Sequence, residues 1–215
     1  MNDGQRVLNG NEVSEDYVKG YINSHNKRDI DYRVSYTYYY YLDTIMDKNY
    51  TLLDIGTGTG GGMVELLRLK KLIAVDGSQK MLDGAKEVLK NVNFEKNFIS
   101  DLYNEKFQIN EKVDAIHLGV YGSYLPFSKN ILEHTLTFLK KGGVLVTTLR
   151  TPDTLYKKIG VIGKMLLGKK PITQYEYLFE KFILPQDTEI LTKVYKYPQS
   201  VNNPEKGIVY FIRKI

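Results

Sequence analysis

Short apolar runs alternate with amphipathic segments through the middle of this 215-residue chain. Between the runs, apolar side chains recur at the three- and four-residue spacing of a helix that packs along one face. Uninterrupted apolar strands separated by such helices are typical of a parallel sheet covered on both faces. The predicted strands are 51–55, 71–75, 97–100, 113–118 and 143–149, and the predicted helices lie near 61–69, 78–90 and 128–140.

The N-terminal part of the chain departs from this alternation. Residues 14–27 and 29–47 show helical spacing with no strand between them. A helical cap is therefore expected over residues 1–48, ahead of an alternating core at 50–150.

The C-terminal part departs from it as well. Two strand-like runs, 188–197 and 207–214, are joined by a turn-rich segment that contains no helix. They predict an antiparallel hairpin within residues 188–215, at one edge of the sheet. The preceding stretch, 151–187, is expected to be a helical insert.

One architecture accommodates this order of elements. Because strand-helix-strand crossovers are right-handed, the alternating core builds a doubly wound α/β sheet. We predict a mostly parallel sheet with an antiparallel C-terminal strand, and we assign residues 1–215 to a single domain.

Composition narrows the chemistry. The chain has no cysteine, which excludes disulfides, thiolate metal sites and cysteine nucleophiles. Its three histidines lack the spacing of a metal-binding set, so no metal is expected. No apolar run reaches the roughly 18 residues that cross a bilayer, and the N-terminus lacks the layout of a secretion signal. A cytoplasmic protein without membrane association is therefore expected.

The net charge of +5 is concentrated towards the C-terminus. Residues 150–215 hold 12 lysines and arginines against 6 aspartates and glutamates. Such an excess favours an anionic substrate or RNA, although solvated surface lysines produce the same excess without any partner.

The strongest motif is a glycine-rich segment directly after the first predicted strand. Residues 52–62 read LLDIGTGTGGG, so a buried strand runs into a turn that opens a helix. Glycines permit positive φ and let a ligand approach the backbone closely. Gly56, Gly58 and Gly61 also satisfy GxGxxG, which by itself is compatible with NAD, FAD or no ligand.

Acidic residues near the ends of successive strands distinguish among these ligands. Asp54, two residues before the first glycine, would repel a pyrophosphate but suits the cationic amino acid and sulfonium end of S-adenosylmethionine. Asp76 ends the second strand, where a carboxylate accepts hydrogen bonds from ribose hydroxyls, in NAD enzymes as well. Asp101, between Ser100 and Leu102, follows the third strand, where it can accept the adenine amino proton.

The order of these motifs, with LKKGG at residues 139–143 ahead of the fifth strand, resembles that of the class I S-adenosylmethionine-dependent methyltransferases. The resemblance covers roughly residues 50–150. It implies a Rossmann-like, seven-stranded sheet with S-adenosylmethionine across the carboxyl ends of the strands and S-adenosylhomocysteine as the product. The cofactor-binding residues that it implies are Asp54, Gly56, Thr57, Gly58, Gly60, Asp76, Gly77, Met81, Ser100, Asp101, Leu102, Leu118 and Gly119.

The acceptor side is less defined. Methyl transfer from a sulfonium needs mainly alignment and exclusion of water, with a general base only where the acceptor must lose a proton. Tyr121 and Tyr124, after the fourth strand, are candidates to position the acceptor or to pack beneath a lid. Many methyltransferases of this class carry a histidine where Tyr124 falls, so no base is carried over. His25, near the junction of the two N-terminal helices, is an acid/base candidate or a surface histidine.

Further candidates flank the same edge of the sheet. Tyr17 and Tyr21, on the first predicted helix, can supply aromatic walls and hydroxyl donors. Arg150, just past the fifth strand, can hold a carboxylate or phosphate, or simply lie on the surface. His117, inside the fourth strand, and His134, on a helix, are expected to be structural.

The predicted function is S-adenosylmethionine-dependent methyl transfer to an oxygen or nitrogen of a small metabolite, by a monomer or homodimer. The loop after the fourth strand lacks the Asn/Asp-Pro-Pro-aromatic motif of enzymes that methylate exocyclic amines of bases. Two alternatives stay open. One is an RNA or protein methyltransferase, favoured by the basic C-terminal third, and the other is a non-catalytic subunit that binds S-adenosylmethionine.

Overall fold

The helices and strands follow each other as expected for an α/β chain. The computed structural model describes residues 13–26, 37–46, 49–60, 63, 68–98, 107–118, 129–150, 179–196 and 207–215. Its helices are α1 (Glu15–Asn26), α2 (Thr37–Ile45), α3 (Gln79–Val88) and α4 (Lys129–Thr137), with a π-helical turn at Phe179–Ile183. Its strands are β1 (Tyr50–Ile55), β2 (Leu69–Asp76), β3 (Phe94–Phe98), β4 (Val113–Leu118), β5 (Leu139–Arg150), β6 (Thr188–Lys196) and β7 (Gly207–Lys214).

The strands form one seven-stranded sheet in the order β3-β2-β1-β4-β5-β7-β6. Strands β1 to β5 pair in parallel, whereas β7 lies between β5 and β6 and runs antiparallel to both. This topology confirms the predicted fold, including the antiparallel C-terminal strand. Strand order reverses between β1 and β4, and open α/β sheets leave a crevice for ligands at such a switch point.

Side chains alternate along the strands, so the sheet has two buried faces. On one face, Leu53 of β1 belongs to the same apolar cluster as Ile131 of α4. On the other face, Leu52 of β1 belongs to a cluster with Leu42 of α2 and Leu82 of α3. Helices thus cover both faces, as the uninterrupted apolar strands predict.

Helix α1 packs on α3 across a glycine. A Cβ placed on Gly84 of α3 would lie 2.9 Å from Val18 Cγ1 and 3.3 Å from Thr59 Cγ2. Val18 also packs with Met81, which lies in the first turn of α3, after the N-cap Ser78. The N-terminal helix therefore lies next to the glycine-rich segment.

Strand β3 begins at Phe94, three residues before the predicted strand at 97–100. It is the outermost strand on one side of the sheet, so it needs no continuous apolar run. Its second residue, Glu95, forms an ion pair with Lys71 of β2, with Oε2 and Nζ 2.6 Å apart. A search for apolar runs therefore misses the start of this strand. Residues 99–100 lie outside the described residues.

Strand β5 is longer than predicted and begins at Leu139 instead of residue 143. Leu139 pairs with Val113, whereas the next pair joins Val144 to Ala115, so β5 bulges between these two pairs. The segment at 139–143, expected to precede the strand, is the bulged start of the strand itself.

Two predicted helical stretches lie mostly outside the described residues. The helix predicted near 61–69 was wrong at its end, because Leu69 pairs with Tyr50 as the first residue of β2. Of the insert predicted at 151–187, residues 151–178 are outside the described residues, and the π-helical turn follows them. Within the part of the chain that is described, no helix has the length and apolar character to span a bilayer.

Candidate cofactor site

The glycine-rich segment turns over the carboxyl ends of β1 and β2. Gly56, Gly58 and Gly60 have φ angles of 82°, 57° and 67°, a left-handed conformation that a residue with a Cβ rarely adopts. The N–H groups of Gly56 and Thr57 donate to the carbonyl oxygen of Val75 at 2.8 and 3.1 Å. These bonds fasten the segment to β2 at the sheet's switch point.

Asp76, the last residue of β2, holds the same segment from the side. Its Oδ2 accepts a hydrogen bond from the N–H of Gly58 at 2.8 Å, and its Oδ1 accepts from the N–H of Ser78 at 2.9 Å. The carboxylate is buried between the glycine segment and the start of α3. One side chain therefore fixes both of the backbone turns that border the crevice.

Asp54, the other predicted carboxylate of β1 and β2, lies in a buried cluster with His117 and Tyr39. Its Oδ1 is 2.5 Å from His117 Nδ1 and 3.4 Å from the hydroxyl of Tyr39, which is itself 2.8 Å from Nδ1. An ionised carboxylate only accepts hydrogen bonds, so we assign the proton to Nδ1 of the imidazole. All three side chains are buried.

The second oxygen of Asp54 is in a different situation. Oδ2 is buried and accepts no hydrogen bond from the described residues. A buried carboxylate oxygen without a donor is costly, and such an atom in a native fold calls for an explanation. A cation or an N–H donor on a bound ligand would supply the missing partner.

Two of the predicted acceptor-side tyrosines lie beside the glycine segment. A Cβ placed on Gly58 would lie 3.7 Å from Tyr21 Cε1 and 3.4 Å from Met81 Cε. The ring of Tyr17 stacks on that of Tyr21 with their centroids 5.8 Å apart. Helix α1 thus brings two aromatic rings to the edge where the cofactor is expected.

Other predicted site residues fall on the same carboxyl edge. Thr57 is buried, and its hydroxyl donates to the carbonyl oxygen of Asp54 at 2.8 Å. Leu118 ends β4, where it pairs with Ile55 on one side and Thr147 on the other. Gly77 follows Asp76 and is buried as well.

The remaining predicted site residues, or their side chains, lie outside the described part of the chain. Ser100, Asp101, Leu102, Gly119, Tyr121 and Tyr124 are outside the described residues, as is Gly61. His25 is the penultimate residue of α1 and Arg150 the last of β5, but their side chains are outside it too. In the described ranges, no group of histidine, aspartate and glutamate side chains could hold a metal ion.

Sequence reasoning missed the partners of Asp54. His117 was expected to be a satisfied core histidine, and it is buried, but its hydrogen bond reaches the predicted cofactor carboxylate. The pairing of Asp54 with His117 on neighbouring parallel strands was the available signal. Tyr39 gave no such signal, because nothing in the run of four tyrosines singles it out.

A doubly wound sheet with this strand order, a glycine turn after β1 and an acid at the end of β2 defines a Rossmann-like S-adenosylmethionine-dependent methyltransferase. Residues 46–177 match the model of a family described as "Methyltransferase domain", and the chain belongs to this family. The protein is therefore an enzyme that uses S-adenosylmethionine, and the alternative of a non-catalytic subunit is not supported. No curated protein matches the chain significantly in sequence.

Solved structures share the fold. The N-methyltransferase NodS from Bradyrhizobium japonicum WM9, in complex with S-adenosyl-L-homocysteine, is 19% identical, with a TM-score of 0.62 over 87% of this chain and 89% of that one. A structure from Listeria monocytogenes described as a putative S-adenosylmethionine-dependent methyltransferase is 15% identical, with a TM-score of 0.60 over 82% and 97% of the two chains. A tRNA methyltransferase from M. jannaschii is 15% identical, with a TM-score of 0.54 over 80% of this chain and 47% of that one.

Proposed function

We propose that this methyltransferase acts on an oxygen or nitrogen of a small metabolite. The observation that carries the proposal is the position of α1, whose Tyr21 lies beside Gly58 in the glycine segment. A helix docked at the carboxyl edge narrows the approach to the cofactor, and enclosed sites suit small molecules. Tyr21 supplies an aromatic wall and a hydroxyl at that approach.

One solved neighbour supports a nitrogen acceptor. This chain matches 89% of the NodS chain, which is named an N-methyltransferase.

The cofactor is proposed to bind along the carboxyl edge of the sheet. Asp54 Oδ2 fits the ammonium group of the methionine portion, because a cation relieves the cost of a buried carboxylate oxygen that lacks a donor. Asp76 fits the ribose hydroxyls, because a carboxylate has about four acceptor positions and can hold the glycine segment and a ligand together. A Cβ at Gly58 would make only ordinary contacts with Met81 and Tyr21, so it is the left-handed φ of 57° that requires a glycine at this turn.

The remaining contacts follow from the family resemblance. Ser100, Asp101 and Leu102 are proposed to hold the adenine. Further contacts are proposed from residues around the same edge, namely Gly56, Thr57, Gly60, Gly77, Met81, Leu118 and Gly119.

When bound, S-adenosylmethionine supplies a methyl group on a sulfonium, and the neutral thioether that is released is a good leaving group. The residues of the chain then have to hold the acceptor in line and keep water out. Tyr17, Tyr21, Tyr121 and Tyr124 are proposed to position the acceptor, with Arg150 holding an anionic group. His25 is proposed to take the proton of a hydroxyl acceptor. Residues 1–48 and 151–187 are proposed to enclose this side of a single domain, and the active unit is proposed to be a monomer or homodimer.

An RNA or protein acceptor is the second candidate. The observation in its favour is the excess of 12 lysines and arginines over 6 acidic residues in 150–215, which suits a polyanion. We rank it second because the docked α1 narrows the approach on the carboxyl edge.

The acceptor class is tested with S-adenosylmethionine labelled in its methyl group. The full-length protein is incubated with the labelled cofactor and a cell extract, and the products are separated by size. Extract incubated without the protein is the control for labelling by enzymes of the extract, and Asp76→Ala protein, which should label less than the wild type, tests the proposed cofactor contact. We expect label above this control in small molecules.

The other outcomes are equally defined. Label in large material that disappears on nuclease or protease treatment would replace our proposal with the RNA or protein acceptor. Equal labelling by the wild-type and Asp76→Ala proteins would contradict the proposed role of Asp76.

A further inference from the structure

Tyr39 and His117 contact one oxygen of Asp54, whereas the other oxygen is buried without a donor among the described residues. We propose that they are positioning residues, which fix Oδ1 so that Oδ2 receives the ammonium group of S-adenosylmethionine. The inference rests on the proposed role of Asp54 and adds to it two residues from other elements of the fold. Neither residue was expected from its sequence context to act at the cofactor.

The geometry of the cluster gives the two oxygens unequal partners. His117 Nδ1 is 2.5 Å from Oδ1, and the Tyr39 hydroxyl donates to the same Oδ1 over 3.4 Å. Oδ2 is buried and has no donor among the described residues. This missing donor motivates the proposal, since a buried acceptor left without a donor costs free energy that a bound ammonium group would recover.

The two donors come from different elements of the fold. His117 is its neighbour on the adjacent parallel strand β4, and Tyr39 comes from α2, which covers this face of the sheet. The rings of Tyr39 and His117 also pack together with their centroids 4.7 Å apart. The carboxylate is thereby held by the sheet and by the N-terminal helices at once, which leaves it few orientations.

Hydrogen bonding and packing can be separated by the choice of substitutions. Tyr39→Phe removes the hydroxyl and keeps the ring contact with His117. His117→Leu removes the donor, whereas His117→Asn keeps an N–H donor near the position of Nδ1. Matched controls are Tyr41→Phe, on the same helix but exposed, and His134→Asn, whose histidine is hydrogen-bonded to the carbonyl oxygen of Phe107.

The measurement compares two ligands by calorimetry on the full-length protein. S-adenosylhomocysteine carries the amino acid portion, whereas 5′-methylthioadenosine has the same nucleoside and sulfur without the ammonium and carboxylate. A positioning role predicts weaker binding of the first ligand alone, and a structural role predicts equal loss for both.

We expect Asp54→Asn to weaken S-adenosylhomocysteine by roughly 10- to 100-fold, as for loss of a charged hydrogen bond. His117→Leu should weaken S-adenosylhomocysteine binding about tenfold, and His117→Asn should recover most of that lost affinity. Tyr39→Phe should weaken the binding about threefold, because the contact of its hydroxyl with Asp54 is long. Binding of 5′-methylthioadenosine should change by less than about twofold in each variant, and the controls should match the wild type.

Each contrary result has its own meaning. If Asp54→Asn leaves the ratio of the two affinities unchanged, Asp54 does not meet the ammonium, and the proposed cofactor contact fails together with this inference. If Asp54→Asn changes the ratio but neither Tyr39→Phe nor His117→Leu does, the contact stands and the positioning role is overturned. Should His117→Leu fail to fold, Tyr39→Phe still decides, because it removes a single oxygen atom.

Discussion

The amino and carboxyl edges of the parallel strands both carry acidic side chains, but they hold them differently. At the amino edge, Asp114 accepts from the ammonium of Lys140 at 2.6 Å and from the N–H of Thr51 at 2.9 Å. Lys71 bridges two glutamates at the same edge, Glu95 and Glu111. These charges meet opposite charges within the chain, in partly exposed positions.

At the carboxyl edge, the described donors to Asp54 and Asp76 are an imidazole, a phenol and two backbone N–H groups. Both carboxylates are buried, and one oxygen of Asp54 has no described donor. Lysine side chains neutralise the amino-edge carboxylates, whereas the hydrogen bonds described at the carboxyl edge come from an imidazole, a phenol and backbone N–H groups. The comparison supports the proposal that the carboxyl-edge acids bind the cofactor, whereas the amino-edge acids form ion pairs within the chain.

The largest expected effect is on cofactor affinity at the carboxyl edge. Asp76→Ala should weaken S-adenosylhomocysteine binding by on the order of 1–3 kcal/mol, roughly 5- to 150-fold, through loss of hydrogen bonds to a charged acceptor. Asp114→Ala is the matched control, because this carboxylate also accepts from a backbone N–H. Calorimetry should show wild-type affinity for the control. An equal loss of affinity in both variants would mean that the carboxyl-edge acid contributes no more to cofactor binding than the amino-edge acid does.

A smaller effect is expected where α1 covers the carboxyl edge. Gly84→Ala places a Cβ 2.9 Å from Val18 Cγ1. Although alanine has the better helix propensity, this overpacking should lower the free energy of unfolding by a net of about 1 kcal/mol. Gly20→Ala is the control, because its Cβ would meet no described atom within 4 Å apart from its own stretch of helix, and it should gain up to about 1 kcal/mol. Urea unfolding measures both. Stabilisation by both substitutions would contradict the packing of α1 on α3.

The smallest effect is expected at the amino edge and depends on pH. Burial, followed by the nearby Asp43 carboxylate, raises the pKa of Tyr50 above its ordinary value of 10.0. The unfolded chain therefore releases this phenol proton near pH 10 while the folded chain retains it, so stability falls as the pH rises above 10. The loss attributable to Tyr50 should stay below about 1 kcal/mol at pH 10.5.

Tyr50→Phe isolates this contribution. Its free energy of unfolding should decline less steeply than that of the wild type between pH 9 and 10.5, measured by urea titration. Cofactor affinity should not change, since Tyr50 donates to Asp43 at the amino edge, away from the crevice. Parallel declines of the two proteins would show that the Tyr50 phenol titrates alike in both states.

Local patterns predicted much of the fold and of the cofactor edge. Asp54 and Asp76 lie at the ends of apolar strands and the glycine segment follows the first of these strands, so their place at one edge is dictated by the parallel sheet. The hairpin of β6 and β7 was predicted to within a residue, because no helix separates its two runs. Strand β3 was predicted too late because an outer strand tolerates charged residues such as Glu95.

The cluster around Asp54 could not be predicted from such patterns. Tyr39 and His117 are 78 residues apart in the chain, and they meet only because α2 packs on the sheet between β1 and β4. Periodicity places each of them on a buried face but does not say which polar atoms face each other there. The bulge in β5 could not be predicted for a related reason. A bulge is a shift in the register between two strands, and the sequence of one strand does not determine that register.

The position of β7 between β5 and β6 also governs the order in which the sheet can be completed. During synthesis from the N-terminus, β6 emerges before β7, the strand with which it pairs in the described sheet, and β5 keeps a row of unpaired backbone groups on one side. An open strand edge of this kind invites pairing with other chains. The nascent protein therefore depends on rapid insertion of residues 207–214, and truncations that remove them should aggregate instead of leaving a smaller folded sheet.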